Sequence, residues 1–296
     1  MLRHMAVRQE VCMTINFALV DAREQESLES RPFHQWISPE GELWTAFHRT
    51  ETGYLLRFPH LADFAVSRNG DTVCGVPAPD TTEETARHLY LNQVLPLVLS
   101  KRGKLVFHAS AIEVADAAIA FVAVSGRGKS SLAAMFARDG YRFLTDDGLI
   151  VEPDGAAFRI LPGHPSIRLW ADSEEALLSP GARAAPSLSY TSKSRFLAGP
   201  DIPFCDRPRT LYRAYFLGDG SAASPEIQPM HSSEAFVAWL KHSFLLDIED
   251  RALLAAHFHQ VAGLVNQPIH YRFDYPRRFD ALADVRKALI EHLGLA

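Results

Sequence analysis

Gly126, Gly128, Lys129 and Ser130 fall together in the run Val122-Ala-Val-Ser-Gly-Arg-Gly-Lys-Ser-Ser131. That set of residue types suits one task, holding a chain of phosphates. Glycines let successive backbone N–H groups turn inward on phosphate oxygens. A helix starting directly afterwards adds free N–H donors and the positive end of its dipole. Lys129 is read as a mobile, solvent-facing cation for the β- and γ-phosphates, and the Ser130 hydroxyl as a ligand for Mg²⁺. Ser125, Gly126, Arg127, Gly128 and Ser131 complete the cradle. The full pattern GxxxxGK[ST] has a glycine where this chain has Ala123. Alanine tolerates an extended backbone there and crowds the turn slightly.

Asp146 and Asp147 form a second group at the end of Tyr141-Arg-Phe-Leu-Thr145, one helix after the loop. Paired carboxylates at the C-terminal end of a strand sit where ligands bind in α/β sheets. One can hold Mg²⁺ and the other can take a proton from an attacking hydroxyl. The plainer reading is a solvated Asp-Asp-Gly turn. His108, before the loop strand, is either a satisfied core histidine or a group that tunes the acceptor of that proton. Arg168, Lys193 and Arg195 are candidate ligands for phosphate or for the acceptor. His257 and His259, two apart on an expected helix, share no face and are a poor metal pair.

The elements needed to position these groups are legible. Leu105–Val114 and Ala118–Val124 read as strands, Ser130–Arg138 as a helix ended by Gly140, and Tyr141–Thr145 as a further strand. Residues 83–99 carry apolar side chains at the spacing of a buried helix, broken at Gly103. Before them, residues 16–76 read as short strands, with Asn69-Gly70 as a hairpin turn. Gly181 to Pro208, rich in Ser, Pro and Gly, reads as a long loop able to close over a ligand. Leu211–Leu217 reads as a strand, and three helices are expected at 233–246, 248–265 and 276–293.

With 296 residues, 47% apolar and a net charge of -5, the chain can build a sizeable core and lacks the basic balance of a nucleic-acid-binding domain. Cys12, Cys74 and Cys205 form neither a disulfide framework nor a zinc site, which fits a reducing cytoplasm. No apolar stretch is long enough to span a bilayer. Residues 1–10 lack the apolar core of a secretory signal, and translation from Met13 is an alternative start.

His108-Ala-Ser-Ala, Ser125-Gly-Arg-Gly-Lys-Ser and Gly140-Tyr-Arg-Phe-Leu-Thr-Asp-Asp occur in the order and spacing of the HPr kinase/phosphorylase catalytic domain. The chain resembles that family closely from about Val106 to Asp147, and weakly from there to its C-terminus. The resemblance implies an α/β fold: a P-loop kinase domain related to phosphoenolpyruvate carboxykinase over 81–296, behind a small β-rich domain over 1–80. It implies a Mg-ATP-dependent kinase acting on a serine hydroxyl of a peptide or protein. Lys129 would hold the phosphates and Ser130 the Mg²⁺. Asp146 would be the base, with Asp147 on the metal or on His108, the order of the two left open. The family's Glu-Ile-Arg-Gly segment has no match; Pro162-Gly-His-Pro-Ser-Ile-Arg-Leu-Trp170 stands there instead. In that stretch and in the N-terminal β module the chain is similar to the lasso-peptide precursor kinases, which phosphorylate a C-terminal serine. The alternatives are an HPr-type protein serine kinase/phosphorylase and a nucleotide-binding regulator with little turnover. Self-association stays open, and neither a nucleic-acid nor a membrane partner is expected.

Overall fold

A computed structural model of the protein describes residues 14–38, 40–178 and 182–294. The alternative start, Cys12 and Gly181 lie outside the described residues. The chain divides into two compact units, Met1–Thr81 and Thr82–Ala296. It is a mixed α/β protein, with three sheets among the described residues.

In the first unit, short alternating segments build β1 (Asn16–Leu19), β2 (His34–Ile37), β3 (Leu43–Arg49), β4 (Gly53–Phe58), β5 (Ala62–Ser67) and β6 (Thr72–Pro77). From β2 to β6 they form an antiparallel meander, and β1 lies parallel beside β6. The Asn69-Gly70 turn joins β5 to β6, with Gly70 at a φ of 74° that glycine adopts freely. Phe47, Leu56, Phe58 and Phe64 are fully buried in this unit.

The second unit opens on α1 (Glu83–Leu89), capped by the Thr82 hydroxyl, which accepts from the Thr85 N–H. The apolar spacing predicts one unbroken helix; instead a π-helical turn (Tyr90–Val94) separates α1 from α2 (Leu95–Lys101). Pro96 explains the turn. It has no N–H to donate and its ring crowds the carbonyl four residues back, so the helix widens ahead of it.

The expected strand Leu105–Val114 is two strands, β7 (Leu105–Phe107) and β8 (Ala109–Val114), with a bend at His108. Then come β9 (Ala117–Val122), α3 (Lys129–Arg138), β10 (Phe143–Thr145), β11 (Leu149–Asp154) and β12 (Ala157–Leu161). After β13 (Ser166–Leu169) and α4 (Ala171–Leu177), β14 (Ser194–Leu197) pairs antiparallel with β13. The segment read as a long loop therefore holds a strand. The chain ends through β15 (Arg209–Leu217), β16 (Glu226–Pro229), α5 (Ser232–Lys241), α6 (Arg251–Val265), β17 (His270–Asp274) and α7 (Leu282–His292). The helix expected from Pro276 starts later, as a 3₁₀ turn at Phe279–Ala281 leading into α7. The sequence alone does not show β16 and β17, because four and five residues of mixed polarity carry too few periods to register.

The large sheet runs β10-β8-β9-β15-β12-β11-β7, with β17 also on β15 and β16 on β17. Consecutive strands β7 and β8 lie five places apart in that order. Across a flat sheet that would be roughly 24 Å, at about 4.8 Å per strand. Phe107 and Ala109 can be at most about 7 Å apart. The sheet therefore curls on itself, and His108 stands at the corner.

Strands β9, β15 and β17 are parallel, and β10 runs the same way, being antiparallel to β8 as β9 is. Their C-terminal ends share one edge. On one face of the sheet α3 and α7 pack through Phe121, Phe136, Tyr215, Phe273 and Val285. On the other α5 and α6 pack through Val122, Phe216, Trp239 and Val261. Among the described residues no helix is long and apolar enough to cross a membrane.

Candidate active site

The loop between β9 and α3 takes its shape from two glycines. Gly126 and Gly128 have φ of 80° and 89°, and a Cβ on Gly128 would lie 2.6 Å from the Tyr275 hydroxyl. Ala123 is buried and outside the left-handed region, so its methyl group fits where the full pattern has glycine. Gly128 caps α3 without a side chain, leaving the helix N–H groups aimed into the loop. Lys129 differs from expectation. It is buried rather than solvent-facing, and its Nζ donates to the Val124 carbonyl at 3.2 Å. Burial lowers its pKa, against the pull of Asp147 and Asp146.

The two aspartates end β10 in different surroundings. Oδ1 of Asp146 accepts from the Ser110 hydroxyl at 2.6 Å and the Ser130 hydroxyl at 2.8 Å, and Oδ2 from the Arg168 N–H at 3.1 Å. Asp147 has a φ of 72°, a strained conformation for a residue with a side chain. Its Oδ1 meets His108 Nε2 at 3.1 Å, and its Oδ2 accepts from the Arg168 guanidinium. Burial alone would raise the Asp147 carboxyl; Arg168 and the His108 hydrogen bond outweigh it and hold the group well below the usual carboxylate range. Burial raises Asp146, and the neighbouring Asp147 raises it further. Asp147 is thus ionised and can only accept, so His108 donates from Nε2. Burial and Lys129 lower the His108 pKa and keep the ring neutral. Ser130 pairs with Asp146, whereas the sequence groups it with Asp147.

Arg168 is held from behind. The Tyr190 hydroxyl lies beside the guanidinium and beside His88 Nδ1. Arginine only donates, so Tyr190 accepts from it and passes its own O–H to His88. Burial pushes the Tyr190 hydroxyl up to about 12 and, with Arg168 adding to it, the His88 ring down to about 3. A relay of hydrogen bonds therefore runs from Asp147 through Arg168 and Tyr190 to α1.

Ser125, Gly126, Gly128, Lys129, Ser130 and Ser131 line one cavity of about 170 Å³ together with Asp147, Arg168 and Lys193. Arg127 turns away and donates to the Asp219 carbonyl. Asp146 lies beneath Ser130 and His108 behind Asp147, neither in the lining. Lys193 stands over the Trp170 ring at 5.2 Å. Arg195 is not in the lining either. It lies opposite Arg168 in the β13–β14 pair, buried, with its guanidinium on Glu84. Its charge is spent there, not on a ligand. Among the described residues no group of three or more His, Cys, Asp or Glu is placed to hold a metal ion. His257 bonds the Ser243 hydroxyl at 2.9 Å.

No protein-family model matches the chain, and no curated protein matches it. Among solved structures the chain is similar to the Hpr(Ser) kinase/phosphatase from Coxiella burnetii, at 9% identity over 64% of this chain and 97% of that one, with a TM-score of 0.33.

The rest of the cavity comes from residues the sequence left unmarked. Tyr275, Arg277, Arg278, Phe279 and Leu282 close it from the C-terminal end of β17 and the start of α7, and Trp170 from the end of β13. Arg277 stacks on the Tyr275 ring at 3.7 Å and donates to the Gly218 carbonyl. The sequence masks this connection, because Pro276 reads as a helix start, proline being favoured at the first helical position.

Proposed function

We propose that the chain binds Mg-ATP and transfers the γ-phosphate to a hydroxyl, most specifically a peptide or protein serine. The observation that carries this reading is the convergence of loop and carboxylates. Ser130 of the loop bonds Asp146, while Asp147, fixed by His108 and Arg168, faces the same cavity as Lys129.

The cavity's volume suits the phosphates, and its mouth beside Trp170 and Phe279, both partly exposed, is where the base of the nucleotide would rest. Magnesium takes oxygen donors and keeps waters and phosphate oxygens among its ligands. The Ser130 hydroxyl and the Asp146 carboxylate, already joined through one oxygen, fit that chemistry and are the residues that would hold it. The ion would supply charge neutralisation at the phosphates.

On this account the roles of the aspartates are the reverse of those first assigned. Asp146 belongs to the metal side. Asp147, at the cavity wall, orients the incoming hydroxyl. The hydroxyl oxygen attacks the γ-phosphorus, the bond from that phosphorus to the β,γ-bridging oxygen breaks, ADP leaves, and the proton passes to Asp147. A carboxylate held at low pKa is a weak base. It suffices because phosphoryl transfer asks chiefly for position and charge stabilisation. Lys129, freed from the Val124 carbonyl, and Arg168 would carry the charge on the phosphates.

The finer proposal for the acceptor is the C-terminal serine of a lasso-peptide precursor. The test is to supply Mg-ATP with such precursor peptides and with an HPr-type carrier protein, and to locate phosphate by fragmentation mass spectrometry. Phosphate on a peptide serine supports the finer proposal. Phosphate on the carrier alone supports the regulatory kinase. ATP binding without transfer to either leaves the nucleotide-binding regulator.

A further inference from the structure

The nucleotide cavity lies on the α3 and α7 face of the strand edge, and a second opening lies on the α5 face of the same edge. It is a groove of about 550 Å³ between α5 and the ends of β9 and β15, floored by Val122, Phe216 and Leu217 and walled by Met230, Val237 and Lys241. Val122 and Phe216 are buried beneath α5, so the apolar surface open to a ligand is that of Leu217 and Met230, both partly exposed, and the half-exposed Val237. Val124, also half exposed, is two residues on from Val122 and leads into the phosphate loop.

Two features tie the groove to the chemistry. The carbonyl of His242, at the end of α5, accepts the His108 N–H at 2.8 Å, so the groove ends against the residue that orients Asp147. The second is charge. Arg272 and Glu234 in the wall pair at 3.5 Å and offset each other. The exposed Lys241 ammonium has no ion-pair partner among the described residues. The groove is thus apolar along its floor and cationic at the end nearest His108.

We infer that this groove is the acceptor site: it takes an extended peptide segment with an apolar side chain against Leu217, Met230 and Val237 and a carboxylate on Lys241, next to the serine to be phosphorylated. The inference rests on the kinase reading above. It has the two substrates approach from opposite faces of one strand edge, with the phosphate loop and Asp147 between them. That arrangement suits in-line transfer, in which attacking and leaving oxygens lie on opposite sides of phosphorus.

The test uses the full chain with Mg²⁺ and the non-hydrolysable analogue adenylyl-imidodiphosphate. Two fluorescein-labelled serine peptides are titrated by anisotropy, one flanked by Leu and Glu, the other by Leu and Lys. The acidic peptide should bind roughly two- to fivefold more tightly, the scale of one exposed charge pair. Lys241→Glu should reverse that order. Val237→Arg, on a half-exposed position that tolerates the change, should weaken both peptides. Affinity for the nucleotide analogue, measured in parallel, should stay unchanged in both variants. Peptide binding that is absent, or unmoved by either substitution, beside intact nucleotide binding would overturn the groove and leave the kinase reading standing. Failure of the wild-type chain to bind the nucleotide would overturn both.

Discussion

At the scale of single residues, the two aspartates separate by what they touch. Asp147→Asn keeps the shape of the side chain and removes the proton acceptor. The expected outcome is a fall in transfer rate of roughly two orders of magnitude or more with ATP affinity retained. Asp146→Asn should instead raise the Mg²⁺ concentration needed for half-maximal rate. Rates under titrated Mg²⁺ distinguish the two, and swapped phenotypes would restore the first assignment. Tyr190→Phe tests the relay. It leaves the buried His88 with neither ring nitrogen bonded and Arg168 with one acceptor fewer, since His88 Nε2 already has no partner among the described residues. A stability loss of about 1–3 kcal/mol follows from the unpaired buried group. A lower transfer rate at unchanged ATP affinity should accompany it. Denaturant melts and steady-state kinetics read the two effects separately. The sequence showed the loop and the aspartates because their types are rare in that spacing. It hid Tyr190 and His88, whose work depends on β13 and α1 being brought together.

At the scale of elements, the loop, β9 and α3 were legible because an apolar strand, glycines and a helix follow one another directly between Ala117 and Arg138. The split of Leu105–Val114 at His108 was not. It follows from the curl of a sheet whose neighbours are far apart in sequence, a tertiary demand that local alternation cannot express. The turn into α7 was hidden for the same reason, since Tyr275 matters through its fit to Gly128 at the far side of the cavity. That fit can be tested directly. Gly128→Ala puts a methyl group against the Tyr275 hydroxyl and an alanine in a left-handed backbone, at a cost of about 1–3 kcal/mol and weakened ATP binding. Adding Tyr275→Phe should recover the steric part alone. Full recovery in the double variant would mean that the backbone conformation contributes nothing.

At the scale of the whole molecule, several histidines with lowered pKa contribute to the response to acid, the buried His88 and His270 among them. Burial lowers the pKa of His88 to about 3, with Arg168 adding to the effect, and that of His270 to about 4. The unfolded chain holds both near 6.5 and so binds more protons between about pH 4 and 6.5. Stability therefore rises with pH through that window and is lost as the pH falls, by about 1–3 kcal/mol for each ring. His270→Phe, which keeps the ring packing against Phe216 and Trp239, should flatten that slope in denaturant melts from pH 4 to 7. An unchanged slope would mean that His270 does not titrate on unfolding. Every residue assigned to the site lies in the Thr82–Ala296 unit. The composition and the strand patterns made a β-rich first unit and an α/β second one legible; the order of strands in the large sheet was not, because pairing between distant segments leaves no local trace.

The central claim is that the loop holds the phosphates of Mg-ATP, and isothermal titration of Mg-ATP into the wild-type chain and into Lys129→Ala tests it most directly. Lys129 is buried, so the melting profile of the variant has to be recorded beside the titration to show that the fold survives. The account predicts saturable one-site binding to the wild type and a loss of affinity of at least about tenfold, some 1.4 kcal/mol, in the folded variant. Equal affinity in the two proteins, or no heat of binding in the wild type, would contradict it.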